Sequence, residues 1–221
     1  MNRLELDQLV TNYRPNPEAL RQQGRVALLM TLGPSGVGKT TLMRASGIPE
    51  VVGDCSRPPR ATEQNGVDYW FRSLDDMVRD TKEGNYVQIA IGFAGDLKGT
   101  KASSYPARGS AVFSVVPTAI PLFRELPFEQ THTAVIVPPS YDIWMERLAG
   151  QGQHEDELES RRREFVTPYQ FALTDSQSQF VLNDTIEAGT ARLLQVAAGE
   201  KPDDADQARR VAEEILERLT V

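Results

Sequence analysis

The chain has 221 residues, 40% hydrophobic and 25% charged, enough for one sizeable α/β domain with a lobe or lid. Its 24 basic and 31 acidic side chains leave a formal charge of −7, so the overall balance offers no attraction for nucleic acid or an anionic membrane. A single cysteine, Cys55, excludes an intrachain disulfide and argues against a cysteine-based metal site, and two histidines are too few for a histidine-rich one.

The opening MNRLELDQLV has no apolar core of the signal-peptide kind, and no apolar run nears the roughly 20 residues that span a bilayer. The expectation is a cytoplasmic protein with no membrane partner. Residues 1–24 are polar, with Pro15 and Pro17, and read as an N-terminal extension with a short helix at PNPEALRQQ. RVALLMTL (25–32) is a continuous apolar run ending in glycine, as a buried parallel strand would be. A glycine-rich loop follows, and TTLMRAS continues as a helix. VVGDC (51–55) reads as a second short strand.

From 56 to 109 the composition changes, with Pro58, Pro59, a Tyr69-Trp70-Phe71 cluster and many glycines. This segment reads as an inserted mixed α/β lobe. Within it Ser73 caps a helix that runs to Gly84, with Asp76 three residues on, and YVQIAIGF (86–93) alternates as a strand. SAVFSVV (110–116) and THTAVIVPP (131–139) are further buried strands, separated by a short helix near Pro117; His132 is a core or edge residue of the second. Ser140 to Gly150 is a helix with Trp144 and Met145 facing inward. GQGQHEDELESRRREF (150–165) is charged, with Glu157–Arg161 and Glu159–Arg163 at i, i+4 spacing. QFVLND (179–184) is a last strand and ADQARRVAEEILERL a C-terminal helix. Strands alternating with helices predict a P-loop three-layer α/β/α fold on a parallel core sheet, with core 25–55 and 110–221 and lobe 56–109.

Gly33-Pro34-Ser35-Gly36-Val37-Gly38-Lys39-Thr40-Thr41 fits G-x-x-x-x-G-K-[ST] in the strand–loop–helix context that a phosphate-binding loop requires. In such a loop backbone N–H groups and the helix N-terminus cradle phosphate oxygens. Lys39 would reach the β and γ phosphates, and the Thr40 hydroxyl would take a Mg²⁺ coordination position.

The loop leaves the fate of the γ-phosphate open. DLKG (96–99) offers the D-x-x-G spacing of a GTPase, but there is no asparagine–lysine–x–aspartate stretch to read guanine. The strands end in GFAGD, VVPT and VIVPPS, so only Asp96 lies near the acidic position an ATPase uses. A kinase whose acceptor is itself a phosphate needs no base, because that oxygen is already ionised; it needs several arginines to hold two anions together. CSRPPR supplies Arg57 and Arg60, and ESRRREF a second group around Arg162. A solvated helix face paired with its glutamates is the alternative for Arg161–Arg163.

The order GPSGVGKTTL, SRPPRATEQNGVDYWF, VIVPPS, ERLAGQG and VLND resembles guanylate kinase from about residue 26 to 195, and R-x-P-R-x-x-E-x-x-G-x-D-Y is its most specific stretch. The resemblance implies γ-phosphate transfer from ATP, with Mg²⁺, to GMP or dGMP, on a core sheet with an acceptor-binding lobe and a helical lid at 150–165. It implies Arg57, Arg60 and Tyr69 on the acceptor phosphate, Arg162 on the transferring group, and Asn183 with Asp184 near the ATP adenine. The partner would be a small-molecule nucleotide and the chain a monomer or homodimer.

Departures from the family concentrate on the base. The guanine-reading glutamate becomes Gln88, an amide with one acceptor where a carboxylate has two. The tyrosine before glycine-serine becomes Lys98, and Thr100 replaces the serine. VVPT stands where an acidic pair is expected, Gln151 replaces a lid arginine, and Gly53 replaces a serine. The alternatives are a kinase of another nucleotide or a sugar phosphate, and a scaffold-type domain that binds phosphorylated partners without catalysis. Scaffold domains generally lack the phosphate loop, which here is complete; a Ras-like switch fits least.

Overall fold

In the computed structural model, which describes residues 2–60, 63–150 and 162–220, the apolar run after Arg25 forms strand β1 (Val26–Leu32), buried at all but one position. The chain divides into two compact units, Met1–Ala27, Pro49–Ala111 and Thr118–Thr131 in one and Leu28–Ile48, Val112–Pro117 and His132–Val221 in the other.

The core sheet has the order β6-β1-β7-β8, with β6 at Gly109–Ser114, β7 at Gln130–Val137 and β8 at Ser178–Leu182. β7 and β8 run parallel, Val135 opposite Phe180 and Val137 opposite Leu182. Helix α2 (Lys39–Ser46) packs on α7 (Ile186–Ala197), and both α7 and α8 (Ala205–Thr220) lie against β8. Helices on both faces explain why Ala134–Val137 and Phe180–Leu182 are continuously apolar rather than alternating. This is the α/β P-loop architecture expected. Helix α5 (Tyr141–Gly150) turns Trp144 and Leu148, one turn apart, into the core, while Met145 is only half-buried. Trp144 stands edge-on to Phe165 of α6 (Arg162–Thr174), with ring centroids 5.2 Å apart. Of the lid read over 150–165, residues 151–161 lie outside the described residues.

The second sheet has the order β3-β2-β5-β4: β2 is Asp54–Cys55, β3 Trp70–Phe71, β4 Gln88–Ile91 and β5 Leu97–Thr100. VVGDC therefore contributes only two paired residues, and they belong to this sheet. One face carries Ile89 and Leu97, packed with Tyr86 against Met77 and Val78 of α3 (Leu74–Lys82) and Leu6 of α1 (Arg3–Thr11). Helix α3 begins at the expected Ser73 cap, whose hydroxyl accepts from the Asp76 N–H, and Gly84 follows its end at φ +75°.

The N-terminal helix lies earlier than expected. Asn2 and Glu5 form a reciprocal capping box that starts α1 at Arg3, whereas PNPEALRQQ is a series of turns leading to a 3₁₀ turn at Gln23–Arg25. Asn16, between two prolines, is the reason. Its N–H donates to Gly84 O at 2.9 Å, its side-chain amide to Glu83 O, and its Oδ1 accepts from Ala19. Those bonds tie the segment to the end of α3 in place of a helical ladder.

Candidate active site

The glycine-rich loop is built where β1 ends. The chain turns through residues 33–38 into α2, whose cap Gly38 has φ +97°. A Cβ there would stand 2.2 Å from Asn183 Nδ2, and one on Gly36 would stand 2.6 Å from Leu148 Cδ2, so glycine is required by packing as well as by φ. Side chains hold the loop from behind by its carbonyls. Trp144 Nε1 donates to Ser35 O at 2.8 Å, and Asn183 Nδ2 donates to Val37 O at 2.7 Å. Because C=O and the following N–H point oppositely in a trans peptide, the amides of Gly36 and Gly38 face away from these donors, as a phosphate cradle needs.

Lys39 Nζ donates to Gly33 O and Pro34 O, both at 2.7 Å, which curls its stem over the loop. Thr40 and Thr41 lie exposed in the first turn of α2. Asn183, read from the sequence with the adenine, is 5% exposed and spends its amide on Val37. Asp184 beside it pairs with Arg192, which holds its carboxyl below the ordinary range. Arg162, the first residue of α6, is exposed in the same unit as the loop.

The residues expected to meet the acceptor lie in the other unit, on the second sheet. Its registers pair Cys55 with Phe71 and with Lys98, Ala90 with Lys98, and Gln88 with Thr100. Side chains of paired residues share a face, so Phe71, Cys55, Lys98, Thr100 and Gln88 stand together, opposite the face covered by α1 and α3. Tyr69, two residues before Phe71, meets that ring edge-on at 5.9 Å.

Arg57 stands at the β3 end of this face, its guanidinium 5.5 Å from the Tyr69 ring centroid and 5.7 Å from that of Phe71. Glu63 grips it with both oxygens at 2.6 Å and also accepts the backbone N–H of Arg60 at 2.8 Å. The bond from Glu63 raises the Arg57 pKa above its ordinary value. Burial pushes the Glu63 carboxyl up, but Arg57 and the Arg60 N–H outweigh it and hold it low. Glu63 thus organises both arginines; its signal in the sequence was the glutamate of R-x-P-R-x-x-E. The Arg60 side chain is exposed.

At the β4 end Gln88 is 5% exposed and donates its amide to Ile89 O. Thr100, opposite it, accepts from the Tyr105 hydroxyl at 2.8 Å. The structure therefore brings Arg57, Arg60 and Tyr69 to one end of a face and Gln88 and Thr100 to the other. Lys98 sits on that face between them. Among the described residues no cluster of three or more His, Cys, Asp or Glu is built to hold a metal, and no helix is long and apolar enough to cross a membrane.

No protein-family model matches the chain. It is 30% identical over 206 residues to the guanylate kinase of Mycolicibacterium paratuberculosis, covering 89% of this chain and 90% of that protein. It is 32% identical over 169 residues to the guanylate kinase of Trichormus variabilis, covering 73% and 84%. The crystal structure of guanylate kinase from Anaplasma phagocytophilum superposes with a TM-score of 0.52 at 19% identity, over 83% of this chain and 89% of that one.

Proposed function

The chain belongs to the guanylate kinase family, and from that premise we propose that it transfers the γ-phosphate of ATP to GMP or dGMP, giving ADP and GDP or dGDP. The observation that carries a catalytic reading is the intact phosphate loop, with Lys39 curled over it and its carbonyls tied back by Trp144 and Asn183. A domain that only bound a phosphorylated partner would have no use for a donor cradle.

In this reading the N–H groups of the loop and the N-terminus of α2 hold the donor phosphates, and Lys39 compensates charge on the β and γ oxygens. Mg²⁺ would add neutralisation of charge on the donor phosphates. The Thr40 hydroxyl at the start of α2 would hold it. Arg57, Arg60 and Tyr69 hold the acceptor phosphate, and Gln88 with Thr100 meets the base. An acceptor oxygen, already ionised, bonds to the γ phosphorus as the bond to the β–γ bridging oxygen breaks, and the leaving electron pair stays on ADP. Arg162 stabilises charge on the group in transfer. The reading carries with it a cytoplasmic enzyme, monomeric or homodimeric, with small-molecule partners.

The test is to incubate the protein with ATP, Mg²⁺ and a panel of nucleoside monophosphates and follow ADP. ADP production that depends on GMP or dGMP is the expected result; no turnover with any monophosphate would overturn the proposal.

A further inference from the structure

Asp96, just before β5, and Lys98 and Thr100 along it alternate onto the polar face of the second sheet. Lys98 does not stand upright there. Its Nζ lies 4.0 Å from the Tyr69 ring centroid, 3.8 Å from Cys55 Sγ and 3.4 Å from Asp96 Oδ2. Cys55 is on β2 and Tyr69 precedes β3, so the side chain leans across β2, away from β4 and Gln88. Two cations, the guanidinium of Arg57 and the ammonium of Lys98, therefore converge on one tyrosine ring.

This placement is built. Asp96 is 7% exposed, and it accepts the Cys55 S–H at 3.1 Å as well as facing Lys98. A Cβ on Gly92 would stand 2.3 Å from Asp96 Oδ1 and 2.8 Å from Lys98 Cε, so a larger residue there would have to displace both side chains. Burial works against the ammonium, but Tyr69, Asp96 and Cys55 outweigh it, and Lys98 stays charged at neutral pH. Arg57 and Lys98 each already have an internal carboxylate, Glu63 for Arg57 and Asp96 for Lys98. Both pairs are close to neutral, and an arriving phosphate dianion meets donors held in place but not over-neutralised.

The geometry points to Lys98 as a ligand of the acceptor phosphate, a third cation beside Arg57 and Arg60, an inference that rests on the reading of this face as the acceptor site. It assigns Lys98 to the phosphate end and leaves base reading to the β4 edge. The lobe then discriminates a monophosphate from its nucleoside through a residue that the family pattern fills with tyrosine.

The experiment compares wild type with Lys98→Met and Lys98→Arg. GMP and guanosine binding are measured by calorimetry, and KM for GMP and for ATP by ADP release. Losing a charge-assisted bond should weaken GMP binding about tenfold or more in Lys98→Met, with most of it restored in Lys98→Arg. Guanosine binding and the KM for ATP should stay within about twofold, since neither involves this ammonium. Equal GMP binding by wild type and Lys98→Met overturns the assignment, as does an equal loss of GMP and guanosine, which would mark a structural role. If Lys98→Met does not fold, Lys98→Gln carries the same comparison, and wild-type GMP binding in it overturns the assignment. A wild type that binds GMP in a Lys98-dependent way yet phosphorylates no monophosphate defeats the kinase reading and leaves Lys98 standing. Turnover with GMP that is indifferent to Lys98 defeats the assignment alone, and a wild type that does not bind GMP defeats both.

Discussion

The side-chain amide of Asn183 donates to the carbonyl of Val37 at 2.7 Å, joining residues 146 apart in sequence at a buried point. The end of β8 thereby fixes the orientation of one peptide of the phosphate loop, and Arg147 fixes Asn183 in turn by donating to its carbonyl at 3.1 Å. Asn183→Ala would leave the Val37 carbonyl buried without its donor. The expected loss is about 1–3 kcal/mol of stability in urea unfolding, with a raised KM for ATP and an unchanged KM for GMP. Equal movement of the two KM values would show that the bond serves the fold and not the loop.

Lys39 lies over the same loop, its ammonium donating to the Gly33 and Pro34 carbonyls. Lys39→Ala takes away the cation that, in the proposed reading, compensates charge on the β and γ phosphates. The expected fall in kcat/KM for ATP is about a hundredfold or more, with the melting temperature near that of wild type. Near-normal activity would show that the loop is not the donor site.

The loop was legible because its chemistry is local: glycines, lysine and threonine at fixed spacing next to an apolar run. What clamps it was not, since Trp144 and Asn183 reach it from β-strand and helix ends far along the chain. The polar face of the second sheet divides in the same way. Arg57, Arg60 and Glu63 lie within seven residues and could be read together, whereas the pairing of Gln88 with Thr100 depends on the turn between β4 and β5. Lys98 read as a departure from a pattern, and only its lean toward Tyr69 gave it a place. In the N-terminal segment the two prolines drew the reading to PNPEALRQQ, although Asn2 and Glu5, with Leu6, Leu9 and Val10 behind them, carried the helix signal. No element was expected over 186–197, where Thr185 caps α7 through the Ala188 N–H.

That N-terminal segment is anchored by Tyr13. Its hydroxyl accepts the Tyr86 N–H at 2.9 Å and donates to the Tyr86 carbonyl, occupying the place of a neighbouring strand at the start of β4. Burial raises the phenol pKa above its ordinary value, so it stays neutral and able to donate. Tyr13→Phe keeps the ring and orphans both backbone groups. Stability should fall by about 1–3 kcal/mol by urea unfolding, and a change within error would show that water replaces the phenol without cost.

A charge network beneath the second sheet sets an acid limit on stability. Arg72 reaches Asp80 at 2.6 Å and Asp54 at 3.0 Å, and Lys101 reaches Asp80 at 2.6 Å. Burial pushes the Asp80 carboxyl up, but Lys101 and Arg72 outweigh it and hold it below its ordinary value. A folded-state pKa below the unfolded one gives stability that is present above about pH 4 and lost as pH falls through the folded value. Asp80→Asn should therefore be less stable than wild type at neutral pH, and the gap should narrow in acid. Unfolding from pH 7 to pH 3 measures it, and a gap constant with pH would exclude Asp80 as the titrating group.

In the proposed reading residue 88 meets the acceptor base. Gln88 is buried opposite Thr100 and uses its amide donor on Ile89 O. Gln88→Glu removes that donor, and the carboxylate, repelled by the Ile89 carbonyl, would turn toward the open face with two acceptors for the N1–H and amino group of guanine. The buried charge should lower stability by about 1–3 kcal/mol while guanine pairs with it more strongly. The ratio of kcat/KM for GMP to that for the next-best monophosphate should rise about tenfold, the scale of one charge-assisted hydrogen bond. An unchanged ratio in a folded variant would remove residue 88 from base recognition and assign that task to the rest of the β4–β5 edge.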